Sequence, residues 1–214
     1  MTMRQPFTVS LDGWKNGQAI PAKYALGQIP ESGHFQFGGN TSPSIRWEGT
    51  PTDTKSFVII CHDPDVPSVA DEVNQEGKIV PADLPRVIYY HWVLADIPAH
   101  LTNLAEGVAS QGVTPRGKSS GKKPYGLAGL NDYTQWFAGD PEMGGNYADY
   151  DGPCPPWNDS ILHHYHFTVY ALSKESLKLP EIFEAAEVIK AMAGHILAQS
   201  SWMGTYSMNP QVQG

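Results

Sequence analysis

Three stretches of the chain read as core strands. Residues 55–61, KSFVIIC, are a continuous apolar run of strand length. Residues 86–97, RVIYYHWVLADI, are rich in β-branched and aromatic side chains and predict a strand buried on both faces. Residues 162–173, LHHYHFTVYALS, predict the third. Side chains alternate across a strand, so His163, Tyr165, Phe167 and Val169 share one face and His164, His166, Thr168 and Tyr170 the other. Weak alternation over residues 6–14 suggests an edge strand, and a short strand is expected around Ile45-Arg46-Trp47 between turns. Helical spacing comes late: Ile182, Ala186, Ile189, Ala193 and Ile196 predict one helix within 181–200.

Between these elements, residues 68–85 are polar, acidic and aperiodic, and read as a loop. Residues 102–151 are glycine-rich with almost no periodicity, and a connection of that length in a compact domain usually signals function or disorder. Within it, Arg116, Lys118, Lys122 and Lys123 read as a solvated basic face. Neither an internal repeat nor a linker is visible. The expectation is one domain over residues 1–214, mostly β, an antiparallel β-sandwich of two sheets with a C-terminal helix packed on it.

Composition narrows the function classes. A chain of 214 residues with 41% hydrophobic and 17% charged residues is ordinary for a globular protein. Its formal net charge of −8 speaks against general nucleic-acid binding, which needs clustered Lys and Arg. A local anion site stays compatible with an acidic chain, because a pocket can be donor-rich. The two cysteines, Cys61 and Cys154, build neither a disulfide framework nor a paired zinc motif. The start MTMRQPFTVSLDGW has no apolar segment of the secretory kind, and no run is apolar enough to span a membrane. A cytoplasmic, reduced protein is the expectation.

Chemistry gathers at the strand ends. In CHDPDVPS, residues 61–68, an apolar strand ends in two acids stiffened by proline. Asp63 precedes Pro64, which confines it to extended geometry and holds its carboxylate at the strand end. Asp65 reads as a turn former that bonds its own backbone. His91 lies mid-strand, where a histidine is usually a satisfied core group, but His163 and Tyr165 begin a neighbouring strand on a shared face. One Asp, two His and one Tyr from three strands suit anion binding, acid–base chemistry or a metal. Metal is disfavoured by the absence of tight ligand spacing, and His164 and His166 face away from His163. No GxGxxG motif occurs. DGPCPPW, residues 151–157, has three prolines in four residues, a rigid wall for a pocket, with Cys154 more readily a small buried residue than a nucleophile.

Together, NTSPSIRW (40–47), DPDVPS (63–68), HWVLADIP (91–98), YDGPCPP (150–156), LHHYHFTVYAL (162–172) and GHILAQSSWMGTY (194–206) resemble the phosphatidylethanolamine-binding protein family, also called Raf-kinase-inhibitor-like proteins, in the form of its bacterial branch. The resemblance implies a two-sheet β-sandwich with a pocket for phosphate-like anions, including the phosphoethanolamine head group. Carried over by motif, the pocket residues are Asp63, Asp65, His91, His163 and Tyr165, walled by Cys154 and Pro155. Cys154 stands where relatives carry glycine, and residues 107–149, ending in NDYTQWFAGDPEMGGNY, expand a shorter loop and add Trp136 and Phe137, either to cover the site or to make a protein contact.

The resulting expectation is a binding protein without cofactor or metal. Its ligand is small and anionic or phosphorylated, and the family implies kinase or protease modulation. Further partners are a protein at the 107–149 segment and a second copy of the chain in a homodimer. The competing expectation is a phosphoester hydrolase or lyase using His163 and His91 as acid and base.

Overall fold

The structure is a computed structural model and describes residues 5–212. In chain order its strands are β1 Thr8–Leu11, β2 Gly27–Gln28, β3 Gln36–Phe37, β4 Ile45–Glu48, β5 Ser56–Pro67, β6 Arg86–Pro98, β7 Asn103–Leu104, β8 Gly117–Lys118, β9 Gly121–Lys123, β10 Gly126–Ala128, β11 Asn146–Tyr147, β12 His163–Leu172 and β13 Ile196–Tyr206. Two short helices, α1 Tyr133–Trp136 and α2 Ala185–Met192, lie between β10 and β11 and between β12 and β13.

Three layers form. A six-stranded sheet in the order β13-β12-β5-β6-β10-β9 faces a three-stranded sheet, β1-β4-β7. Pairing within both is antiparallel. Alternation along the large sheet sorts its side chains between two cores. Phe57, Ile59, Cys61, Trp92, Leu94, Phe167 and Val169 pack against Val9, Leu11, Ile45 and Trp47 of the small sheet. Val58, Ile60, Val93, Ala95 and Leu172 point the other way and are covered by Phe183, Ala185, Val188 and Met192. That is why 57–61 reads as an unbroken apolar run: both faces are covered, and each large side chain there contributes roughly 1.5–3 kcal/mol by leaving water.

Three expectations change. The helix is shorter than 181–200 and packs a different stripe. Ala185, Val188 and Met192 are buried, while Ile182 and Ile189 are exposed, and Ile196 opens strand β13. Gly194, at φ +78°, accepts the left-handed turn that stops the helix and returns the chain to the sheet. Strand β6 is buried on both faces only from His91 onward, since Val87 and Ile88 are exposed where the strand outruns both covering layers. Residues 107–149 are not structureless. They carry β8 to β11 and α1, and Lys118 leaves the expected solvated face to pair with buried Asp151 at 2.7 Å.

Candidate functional site

At the end of the large sheet beyond the small sheet's reach, the inner-face residues turn polar. On β5 the series Phe57, Ile59, Cys61 continues as Asp63, and on β12 the series Val169, Phe167 continues as Tyr165 and His163. All three polar residues are buried. On β6 a bulge supplies the rest. Cys61 pairs with Trp92 but His62 with Tyr90, so His91 is the extra residue. The bulge lets His91 face inward beside Trp92 and puts Tyr89 inward too, opposite Asp63.

These residues floor a cavity of about 340 Å³. Its walls are Leu26, Phe35 and Phe37, the Cys154-Pro155-Pro156 run, Val66 of β5, Val69 and Val73 of the acidic loop, and Tyr133, Trp136, Phe137 and Met143 of the long connection. Mostly apolar walls with a few convergent polar groups at the floor are what small-ligand sites share. No Lys or Arg side chain lines it.

Four charged groups set the electrostatics of the floor. His163 lies between two carboxylates, with Nδ1 at 2.7 Å from Asp63 Oδ2 and Nε2 at 3.1 Å from Asp159 Oδ2. Asp159 also accepts both terminal nitrogens of Arg86, at 2.6 and 3.0 Å. Burial pulls the His163 pKa down, but hydrogen bonds and charge from Asp159 and Asp63 outweigh it and raise it to about 9. His163 is therefore an imidazolium at neutral pH, and the formal charges of Asp63, His163, Asp159 and Arg86 cancel. Burial raises the Asp159 pKa, and the hydrogen bonds from His163 and Arg86 overcome it, leaving it lowered.

A pH dependence of stability follows. The His163 pKa is about 9 folded against an ordinary 6.5, so its contribution is complete below pH 6.5 and disappears as pH rises through 9. Urea unfolding at pH 6 and pH 9.5 is expected to show about 3 kcal/mol less stability at the higher pH.

His91 is the opposite case. Burial lowers its pKa, against the weaker upward pull of Asp63 and of the Asp151 backbone, so the ring is neutral. Nδ1 lies 2.9 Å from the Asp151 carbonyl oxygen, which can only accept. That assigns the proton to Nδ1 and makes Nε2 the lone-pair nitrogen. Around it, the Tyr89, Tyr133 and Tyr165 rings lie with centroids 5.0, 5.4 and 5.1 Å from that of His91. Tyr133 donates to the Gly152 carbonyl at 2.7 Å. Both hydroxyls of Tyr89 and Tyr165 are buried; that of Tyr89 has no hydrogen-bond partner among the described residues, and that of Tyr165 makes no well-formed bond but stands within reach of the Asp63 carboxylate. Burial, and then Asp132 for Tyr89 and Asp63 for Tyr165, raises both pKa values far above 10, so each stays a donor.

The DGPCPP wall is held from behind. Asp151 accepts Lys118 Nζ and Asn40 Nδ2, both at 2.7 Å, and Asn131 Nδ2 at 2.9 Å. The Gly152 N–H donates to Asn40 Oδ1 at 2.8 Å. A Cβ on Gly152 would sit 1.9 Å from the Tyr24 carbonyl oxygen, so only glycine passes there. Cys154 lines the cavity beside Met208, 3.9 Å between sulfurs, and burial pushes its thiol up to about 12. It is a protonated, unreactive wall.

Asp63, His91, His163, Tyr165, Cys154 and Pro155 thus meet at one cavity, and Asp65 does not line it. The turn bond expected of Asp65 is made by Asp63, whose Oδ1 accepts the Asp65 N–H at 2.8 Å. Pairing of β5 with β12 stops at His62–His166, which leaves the His164 N–H without a backbone partner, and the Asp65 carboxylate accepts it at 2.9 Å. Tyr89, Asp151, Asp159 and Arg86 were missed in the sequence. The spacing of Asp159 four residues before His163 was the one local hint.

A family model described as phosphatidylethanolamine-binding protein matches residues 11–207. The chain belongs to that family. Its relatives include a UPF0098 protein of Aquifex aeolicus, 34% identical over 193 residues, covering 90% of this chain and 84% of the relative. A UPF0098 protein of Methanothermobacter thermautotrophicus is 32% identical over 180 residues, covering 84% and 91%. Among solved structures, Escherichia coli YbcL, described as a new member of the mammalian phosphatidylethanolamine-binding protein family, matches with TM-score 0.67 and 28% identity over 95% of this chain and 99% of its own. The Chlamydia trachomatis homologue CT736 matches with TM-score 0.62 and 27% identity over 94% and 97%. Family membership, the mostly β fold and the bacterial type agree with the resemblance read from the motifs. No helix among the described residues is long and apolar enough to cross a membrane.

Proposed function

We propose that the chain is a binding protein whose cavity takes a small phosphate-type anion, with phosphoethanolamine as the fitting head group. The observation that carries this reading is the pair of buried tyrosine hydroxyls, Tyr89 without a partner and Tyr165 with no more than a poorly formed contact to Asp63. A buried donor left unbonded costs about 1–3 kcal/mol, and an acceptor oxygen entering the cavity removes that cost. His91 supports the same occupant. Its Nε2 lone pair cannot face an anionic oxygen unless a proton lies between them, so the site favours a protonated phosphate or takes up a proton on binding. At the rim, Asp140 and exposed Trp136 offer an ammonium a counter-charge and an aromatic face.

Two features speak against the hydrolase or lyase reading. Both nitrogens of His163 are committed to carboxylates, which leaves no free position for proton transfer. Cys154 is a buried thiol, with its pKa pushed up to about 12.

Calorimetric titration with phosphoethanolamine, inorganic phosphate and ethanolamine tests the proposal. Binding is expected for the first two and not for ethanolamine. The sign of the pH effect follows from His91: burial lowers its pKa in the free protein, a bound anion raises it, and affinity therefore falls as pH rises. Affinity is expected to be weaker at pH 8 than at pH 6. No heat at millimolar ligand, or binding of ethanolamine equal to that of phosphoethanolamine, removes the proposal.

A further inference from the structure

The face of the large sheet turned away from the cavity carries a second histidine cluster that anion binding does not use. His62 on β5 and His166 on β12 stand directly opposite each other in the antiparallel register. Their ring centroids are 5.2 Å apart, with 20° between the planes. Both are half-buried. His91, His163 and His164 each have a ring nitrogen hydrogen-bonded to protein. The His62 and His166 rings make no such bond to any described residue. The rings contact each other and, from His62, the Tyr90 ring at 6.3 Å, contacts that leave their nitrogens unused.

We propose that His62 and His166 form a chelating pair for a divalent late transition-metal ion, Cu²⁺, Ni²⁺ or Zn²⁺. Imidazole suits these ions, with metal–nitrogen distances of about 2.0–2.1 Å. Each ring centroid then stands about 3.2 Å from the ion, and at a tetrahedral angle the two centroids are about 5.2 Å apart. That is the separation observed. The centroid lies nearly on the Cβ–Cγ axis, so turning either ring re-aims its nitrogens without changing that spacing. The rings are also chemically ready. Burial, and then the charge of His166, lowers the His62 pKa, so its lone pairs are available at neutral pH.

The site is bidentate. Among the described residues no three His, Cys, Asp or Glu side chains are placed to share an ion. His164, two residues from His166, has Nδ1 at 2.8 Å from Asp65 Oδ2. Water completes the coordination.

The test is a calorimetric titration of the full chain with each metal alone, for the wild type, His62→Gln, His166→Gln and His164→Gln. One ion per chain is expected. Losing an outer-shell partner already costs about 10–100-fold in affinity, and loss of a ligand in His62→Gln or His166→Gln is expected to cost at least that. His164→Gln should bind within about twofold of the wild type, a change small against those 10–100-fold losses. Ni²⁺ should also broaden the amide resonances of residues 61–63 and 165–167 in the wild type, a reading that needs no variant to fold. The assignment is overturned by no binding at up to millimolar metal, by unchanged affinity in His62→Gln and His166→Gln, by an equal loss in His164→Gln, or by broadening confined elsewhere.

Discussion

Asp159→Ala is expected to lower stability by roughly 3–5 kcal/mol, the range for removing one partner of a buried ion pair. In a chain of this length that lowers Tm by on the order of 10 °C. The reason lies in what the carboxylate leaves behind. Asp159 accepts two hydrogen bonds from Arg86 and one from His163, and its side chain is 1% exposed. Without it, an imidazolium and a largely buried guanidinium lose their shared counter-charge. Asp159→Asn keeps the shape and one acceptor, and should cost less. The two variants also separate charge from volume through pH. Once Asp159 is gone, His163 keeps only Asp63 to hold its proton, so its pKa falls back toward 6.5 and the alkaline loss of stability between pH 6.5 and 9 flattens. Urea unfolding at pH 6, 7.5 and 9 checks both. An Asp159→Ala protein as stable as the wild type, with the same alkaline loss, contradicts the four-group arrangement.

The second large effect separates binding from folding. The double variant Tyr89→Phe, Tyr165→Phe removes two hydroxyls and leaves both rings in their packing. In most cores, deleting a tyrosine hydroxyl breaks a hydrogen bond and costs stability. Here Tyr89 has no protein partner and Tyr165 only a poorly formed contact to Asp63, so unfolding in urea should show little change in stability. Binding should move the other way. Hydrogen bonds to a charged group contribute about 1.5–3 kcal/mol each, so two lost donors imply about 100-fold or more in affinity for phosphoethanolamine. A protein as stable as the wild type that no longer binds is the expected signature of donors held for a ligand. Lost stability with intact binding assigns the hydroxyls to the fold.

What the sequence made legible followed local periodicity. Alternation placed His163 and Tyr165 on the face of Phe167 and Val169, because pleating needs only the strand itself. His91 was different. Strict alternation from inward Trp92 would turn it outward, and only the bulge brings it in. A bulge is a relation between two strands and leaves no periodic mark on one. Tyr89 was hidden for the same reason. Asp151, Asp159 and Arg86 lie in a loop, at a turn and at a strand start, where no pattern announces which side chain will be buried. The helix stripe was misread because Ile182, Ile189 and Ile196 keep helical spacing across a segment that Gly194 cuts into helix and strand. Asp65 escaped the expected turn because the pairing of β5 with β12 ends before it, and an open backbone N–H on His164 captured its carboxylate.

The most direct test of the pocket is an amide-resonance titration of the full chain with phosphoethanolamine at pH 6. The pocket account predicts saturable shifts centred on Asp63, Tyr89 to His91, Gly152 to Cys154 and His163 to Tyr165, and none at the surface lysines. Shifts confined to Arg116, Lys122 and Lys123, or no shifts at millimolar ligand, would contradict it.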